Sequence, residues 1–278
     1  ICFTSWYHYT KSLIKIKHLL YLFRIFWSKG GIIMPKFWAS GTTPSHKAAC
    51  KLLKAEGFQL TNAPSGDLQG VFLDVPSFRG SGITPAALSE LLPKGCAVIG
   101  GGLTTLTEQG YPLIDLLEDP EFTAQNADIT ARCAIRLAID QLDVTLRGLP
   151  VLILGWGRIG KLLGRYLRAL DAQVSVYARK EADRAMLRAL GYGAIETTPE
   201  DARLDMFRVI FNTAPAPLLS ASKTAGLPEC LLLDLASVPG LSGSRVIPAR
   251  GLPGLLAPES AGELVGRTVI RLWKEKRT

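Results

Sequence analysis

Residues 151–160 read VLILGWGRIG, a short apolar run that breaks into a glycine turn and reopens as a helix. Val151, Leu152, Ile153 and Leu154 show no polar alternation, the pattern of a parallel strand buried on both faces. Gly155, Gly157 and Gly160 follow at the G-x-G-x-x-G spacing of dinucleotide-binding turns. At that spacing the first glycine permits a tight turn and the second lets the backbone approach a pyrophosphate. The third lets the helix pack closely on the strand. The free N–H groups of the first helical turn, at Arg158 and Ile159, then face the phosphates. Ile159, Leu162, Leu163, Tyr166, Leu167 and Leu170 share one helical face. An ordinary strand-turn-helix without a ligand is the alternative; strand, glycines and helix together favour the nucleotide site.

Downstream, strand and helix alternate as in a doubly wound sheet. Residues 173–177 read as the second strand and residues 181–190 as a helix stopped by Gly191. Residues 208–212 form a strand that runs into Asn212, Thr213, Ala214 and Pro215. Residues 230–235 form another that runs into Ala236 and Ser237, and residues 245–247 a short last one. Ligands of such sheets bind at the carboxyl ends of the strands, so Asn212, Thr213, Ala214 and Ser237 are expected to line the nicotinamide side. An NAD site carries an acid for the ribose hydroxyl about 20 residues past the turn. Here the second strand ends in Ala178, Arg179 and Lys180, two cations and no acid. A 2′-phosphate suits such cations, so NADP is expected, with NAD as the alternative.

Upstream, residues 34–126 read as a smaller, degenerate α/β domain on the substrate side. Strands are expected at residues 36–40, 71–75 and 96–99. Thr43 is placed to cap a helix opened by Pro44 and closed by Gly57, and Thr84 and Pro85 open a second helix. Asp119 and Pro120 mark the end of this unit. Residues 127–147 are expected to form a connecting helix with Ile135, Ile139, Leu142 and Leu146 on its apolar stripe. Residues 148–258 then form the NAD(P)-binding Rossmann domain, and residues 259–278 a helix that packs back on the first domain. The fold class is therefore α/β, a Rossmann-type doubly wound parallel sheet plus a smaller α/β unit.

Of the 278 residues, 47% are hydrophobic and 20% charged, a soluble globular composition. The five cysteines are scattered without a C-x-x-C pair, which fits reduced cytosolic thiols and neither a disulfide frame nor a zinc site. The net charge of +8 shrinks once located. Residues 1–33 hold five cations and no acid, and removing those five leaves 27 basic against 24 acidic side chains, a net of +3. A basic nucleic-acid binder is thus excluded for the body of the chain. Lys15, Lys17, His18 and Arg24 interrupt the apolar stretch near the amino end, so no span of about 18 uncharged residues exists for a membrane helix. Lys29, Gly30 and Gly31 can be encoded by codons containing a bacterial ribosome-binding sequence just upstream of Met34. Residues 1–33 are therefore read as a leader or extension, with a basic amphipathic anchor helix as the alternative.

Groups for acid–base catalysis are scarce. The three histidines, His8, His18 and His46, all precede the nucleotide domain. A 2-hydroxyacid dehydrogenase of this architecture places a general-acid histidine late in the chain, and none stands there. His46 reads as a surface residue of the first helix, and the catalytic acid or base stays unassigned. No metal-ligand cluster, nucleophile elbow or kinase-type loop is present, so no metal is expected.

The run Gly155, Trp156, Gly157, Arg158, Ile159 and Gly160, with Asn212, Thr213 and Pro215, Asp234 to Ser237, and G-L-P-G-x-x-A-P-x-x-A-G over residues 251–262, resembles the A-subunit family of dipicolinate synthase. The order agrees from about Asn126 to the last helix. The resemblance implies a cytoplasmic, nicotinamide-dependent oxidoreductase of the sporulating mother cell. It implies a partner in the flavoprotein-like B subunit, a homo- or hetero-oligomer, and oxidation of dihydrodipicolinate, a small cyclic dicarboxylate, to dipicolinate. A regulatory or scaffold relative that binds NADP without turnover is the alternative. Candidates on the substrate side are Arg79, Asn126, Arg132, Pro253 and Gly254, with Arg245 as a further cation. Glu259 stands where the family usually carries Lys, Leu241 replaces a glycine, and Ala39 to Thr43 replace a G-G-D-x-R opening. All of these departures fall on the substrate side.

Overall fold

The computed structural model describes residues 35–78, 83–93 and 95–276. The leader reading of residues 1–33 and the substrate candidate Arg79 lie outside the described residues. The chain first builds β1 (Lys36–Ser40), α1 (Pro44–Ala55), β2 (Gln59–Thr61), β3 (Gly70–Leu73), α2 (Pro85–Leu91), β4 (Ala97–Gly100) and β5 (Leu113–Asp115). These strands form a parallel sheet in the order β2-β1-β3-β4-β5. That is the flavodoxin-like doubly wound order, fuller than the three strands legible in the sequence. β2 and β5 give no signal there because each is three residues long and shows no apolar run. The caps behave as expected: Thr43 accepts the backbone N–H of His46 at 3.1 Å, with Pro44 at the first helical position. Phe37, Phe72, Ile99 and Ile114 face one core, and Trp38, Val71, Leu73 and Val98 face the other.

The connecting helix differs from its expected course. α3 runs Pro120–Gln141, capped by Asp119, whose carboxylate accepts the N–H of Phe122 at 2.7 Å. The helix therefore begins at Pro120, not near residue 127, and it stops before Leu142 and Leu146. Ile135 and Leu146 of the expected stripe are buried, whereas Ile139 is 50% exposed, and much of the buried face of the helix is small: Ala127, Thr130, Ala131, Ala134 and Ala138. Small side chains let helices approach closely, and such a low-contrast stripe gives little signal beside a large residue such as Ile139. Phe122 enters the core of the first sheet while Ala131, Ala134 and Ala138 enter that of the second, so α3 joins both.

The second sheet contains β6 (Pro150–Leu154), β7 (Gln173–Tyr177), β8 (Gly193–Ile195), β9 (Val209–Asn212), β10 (Leu231–Asp234) and β11 (Val246–Pro248). Its order is β11-β10-β9-β6-β7-β8, all parallel, the Rossmann arrangement of two mononucleotide-binding halves meeting at β6 and β9. Between the strands lie α4 (Arg158–Ala169), α5 (Glu181–Ala189) and α6 (Ala221–Ala225). Val151 and Ile153 face the core under α3 and α4, and Leu152 and Leu154 face the opposite core. Burial on both faces explains the unbroken apolar run. After β11 come α7 (Leu252–Leu256) and α8 (Pro258–Glu275). α8 returns to α1: a Cβ on Gly262 would lie 2.4 Å from the Cβ of Ala48, and one on Gly266 3.0 Å from Leu52.

Candidate functional site

The glycine turn leaves β6 beside β9, where the strand order reverses and a doubly wound sheet opens its crevice. Gly155 sits at φ +108°, a backbone conformation that side chains rarely adopt. A Cβ there would stand 2.7 Å from the hydroxyl of Thr213, which donates to the carbonyl of Leu154 at 3.1 Å. A Cβ on Gly160 would come within 2.2 Å of the Gly155 carbonyl oxygen. Gly157, by contrast, meets nothing within 4 Å, and as N-cap of α4 it supplies no side-chain acceptor to the first helical N–H groups. The turn is thus a shallow cradle of donors at a helix start, which fits a pyrophosphate. Trp156 leaves the cradle clear, its ring edge-on to Tyr192 with centroids 5.3 Å apart.

Arg179 and Lys180 lie at the end of β7, Lys180 exposed to solvent. Arg184 of α5 donates to the carbonyls of Ala178 at 3.0 Å and Arg179 at 2.9 Å. This residue, missed in the sequence, pins the strand end and brings a third cation to it. The first acid that follows, Glu181, is engaged by Arg184 and Arg188.

Across the switch point, Thr213 and Ala214 border the glycine turn, and Ser237 is exposed beyond β10. Asn212 is fully buried. Its amide donates to Asp234 at 2.8 Å and to the carbonyl of Ala214 at 3.2 Å, and its oxygen accepts the N–H of Ala214 at 3.1 Å. Its side chain therefore shapes the turn from beneath. Asp234, 2% exposed, also accepts the N–H groups of Ala236, Gly240 and Leu241. This buried node supports the far half of the crevice. Its signal in the sequence is a polar residue ending each of two adjacent apolar strands.

The candidates on the substrate side disperse. Pro253 is buried and Gly254 half-buried in α7, where a Cβ on Gly254 would be 3.7 Å from the hydroxyl of Ser45 at the start of α1. Asn126 is half-buried on α3, and its carbonyl accepts the hydroxyl of Thr130. Arg132 lies on the α3–α4 contact, paired with Asp128 at 2.8 Å and 4.4 Å over the ring of Tyr166. Arg245 reaches the carbonyls of Leu227 and Pro228, at the amino end of the sheet.

His46 is not a surface residue. It is 5% exposed, its ring stacks 4.4 Å from Phe72, and Nδ1 lies 3.9 Å from Asp74. Neither ring nitrogen has a hydrogen-bond partner among the described residues. Gly41 makes the room, since a Cβ there would be 2.4 Å from the ring. Burial lowers the pKa of the imidazole, against the opposing pull of the Asp74 carboxylate and the Leu73 backbone. Among the described residues no cluster of His, Cys, Asp and Glu could hold a metal ion, and no helix is long and apolar enough to cross a membrane.

No family model matches the chain. It is similar to the A subunit of dipicolinate synthase from Bacillus subtilis (strain 168), 28% identical over 237 residues, which cover 76% of this chain and 80% of that protein. The crystal structure of the dipicolinate synthase A chain from Bacillus subtilis superposes with a TM-score of 0.73 at 23% identity, covering 88% of this chain and 97% of the other. That of the A subunit from Bacillus halodurans gives 0.72 at 22% identity, with 86% and 97% covered. An NADPH-dependent glyoxylate/hydroxypyruvate reductase from Sinorhizobium meliloti, solved with NADP and malonate, gives 0.54 at 14% identity over 86% and 93%. The resemblance carried by the glycine turn and the G-L-P-G segment therefore holds in sequence, and the α/β Rossmann-type fold holds in structure.

Proposed function

We propose that the chain is an NADP-dependent oxidoreductase, the A subunit of a dipicolinate synthase, oxidising dihydrodipicolinate to dipicolinate with a flavoprotein-like B subunit in the cytoplasm of a sporulating mother cell. The observation that carries the reading is the open donor cradle at Gly157, set at the switch point of a complete six-stranded sheet. The 28% identical relative supplies the substrate class. The cradle, Arg158 and Ile159 would hold the pyrophosphate, and Arg179 and Lys180 a 2′-phosphate, with NAD as the alternative cofactor. When bound, the nicotinamide supplies a hydride acceptor. Thr213, Ala214 and Ser237 would border its ring, with Asn212 and Asp234 fixing their loops from below. Loss of one hydride and one proton makes the substrate ring aromatic, so the product's stability drives the step and the protein mainly aligns two rings.

Two domains, residues 34–126 and 148–258 joined through α3, would close on the substrate from both sheets' carboxyl ends. A second reading, an NADP-binding scaffold without turnover, is favoured by the burial of His46, the histidine on the substrate side. Purified protein, with and without the B-type partner, in a dihydrodipicolinate-generating system with NADP(H) separates the two. Dipicolinate absorbance that requires this chain supports the enzyme; tight NADPH binding without turnover in any pairing supports the scaffold.

A further inference from the structure

In the half of the crevice formed by β9, β10 and β11, the cations among the described residues are mostly turned away from the strands' carboxyl ends. Arg203 pairs with Asp205 and Arg208 with Glu229 ahead of the strands, Arg245 holds carbonyls at the amino end, and Lys223 reaches the carbonyl of Ala202. Arg250 is different. It follows β11, and its Nε donates to the carbonyl of Ala236, just beyond β10, at 2.7 Å. A terminal nitrogen lies 3.9 Å from Asp234, too far for a hydrogen bond, and that carboxylate is already filled by Asn212 and three backbone N–H groups. The guanidinium is thus fixed by one edge to a rigid buried node. Its side chain is 38% exposed, and its terminal nitrogens have no hydrogen-bond partner among the described residues.

We propose that Arg250 is the carboxylate anchor of this crevice, presenting the free edge of its guanidinium to a carboxylate of the substrate beside the nicotinamide. A planar fork held at Nε matches the two oxygens of a carboxylate and loses little freedom on binding. The division of labour is electrostatic: Arg179, Lys180 and Arg184 serve the phosphate half, and Arg250 serves the reacting half. The inference rests on the reading of the crevice as a dinucleotide site and adds to it the group that selects an anionic substrate.

The test is calorimetric titration of the full chain, saturated with NADP or NAD, with pyridine-2,6-dicarboxylate, isophthalate and malonate. Arg250→Gln is expected to weaken pyridine-2,6-dicarboxylate binding about ten- to a hundredfold, the range of one lost charge-assisted contact, while NADPH affinity stays within about twofold. Arg250→Lys keeps the charge without the fork and recovers part of the affinity. Unchanged binding by Arg250→Gln, a parallel loss of NADPH affinity, or no binding of any of the three anions to the wild type overturns the anchor. If malonate or isophthalate binds through Arg250 and pyridine-2,6-dicarboxylate does not, the anchor stands and the dipicolinate reading falls. If Arg250→Gln forms dipicolinate as the wild type does, the function stands and the anchor falls.

Discussion

A Cβ placed on Gly160 would stand 2.2 Å from the carbonyl oxygen of Gly155, so the start of α4 and the exit of β6 touch backbone to backbone. No rotamer relieves such a contact. Gly160→Ala must push the helix off the sheet, and about 2 kcal/mol or more of stability is expected to be lost, within the range of overpacked cores. Gly157, two residues past Gly155, meets nothing within 4 Å. Gly157→Ala should cost no more than about 1 kcal/mol, the order of the difference between Gly and Ala at an N-cap. Its methyl group instead fills the space a pyrophosphate needs, and NADPH affinity should fall about tenfold. Urea unfolding and nucleotide titration of the two variants give opposite rankings. A shared ranking defeats the assignment of roles.

The parts of the fold that are legible in the sequence are those where one physical demand acts alone. A strand buried on both faces must be apolar throughout, and residues 151–154 are fully buried. Helix starts announce themselves through caps, as at Thr43 and Thr84, each of which accepts an N–H three residues on. Legibility fails where demands compete. α3 buries alanines because α4 must come close, so the stripe read from its large apolar residues is incomplete: Ile135 is buried, but Ile139 is not. β8 is three residues long at a sheet edge and carries no period. His46 reads as a surface group because nothing local reports that Gly41 and Phe72 close over its ring. At the site, glycine spacing locates the cradle, whereas Arg184 and Arg250 gain their positions from hydrogen bonds to carbonyls on other elements.

The proposed preference for NADP rests on charge at the end of β7. Arg179→Glu should raise KM for NADP by about tenfold or more through loss of a charge-assisted contact, with little change for NAD. Steady-state kinetics with both nucleotides, or binding titrations where turnover is absent, measure the ratio. Equal effects on the two defeat the NADP assignment.

Asp234 bears four hydrogen bonds at 2% exposure, from Asn212, Ala236, Gly240 and Leu241. Asp234→Ala strands these donors in a buried site and should cost about 3–5 kcal/mol, as when one partner of a buried polar network is removed. For a chain of this size the loss corresponds to a fall in Tm of roughly 10 °C. Thermal unfolding followed by circular dichroism reads it directly. A Tm unchanged from the wild type would show that the node is dispensable.

His46 predicts how the fold responds to acid. Its folded pKa lies below the ordinary value of 6.5, first because burial excludes the charged imidazole, with Asp74 and the Leu73 backbone opposing. The neighbouring Cys50 thiol, pushed up to about 11 by burial, stays protonated and neutral across this range. As pH falls through 6.5 toward the folded value, the unfolded chain binds a proton that the folded chain does not, so stability declines in that window. Above it both states carry a neutral ring, and the contribution is constant. His46→Leu removes the titration together with two unpartnered buried nitrogens, whose desolvation costs about 1–3 kcal/mol, although it also gives up the stack on Phe72. Unfolding free energies of wild type and variant should therefore run parallel above about pH 7 and diverge as pH falls below the ordinary histidine value, the wild type falling faster. Curves that stay parallel down to about pH 5 would mean that the folded imidazole protonates as readily as the unfolded one, with Asp74 at 3.9 Å receiving the charge.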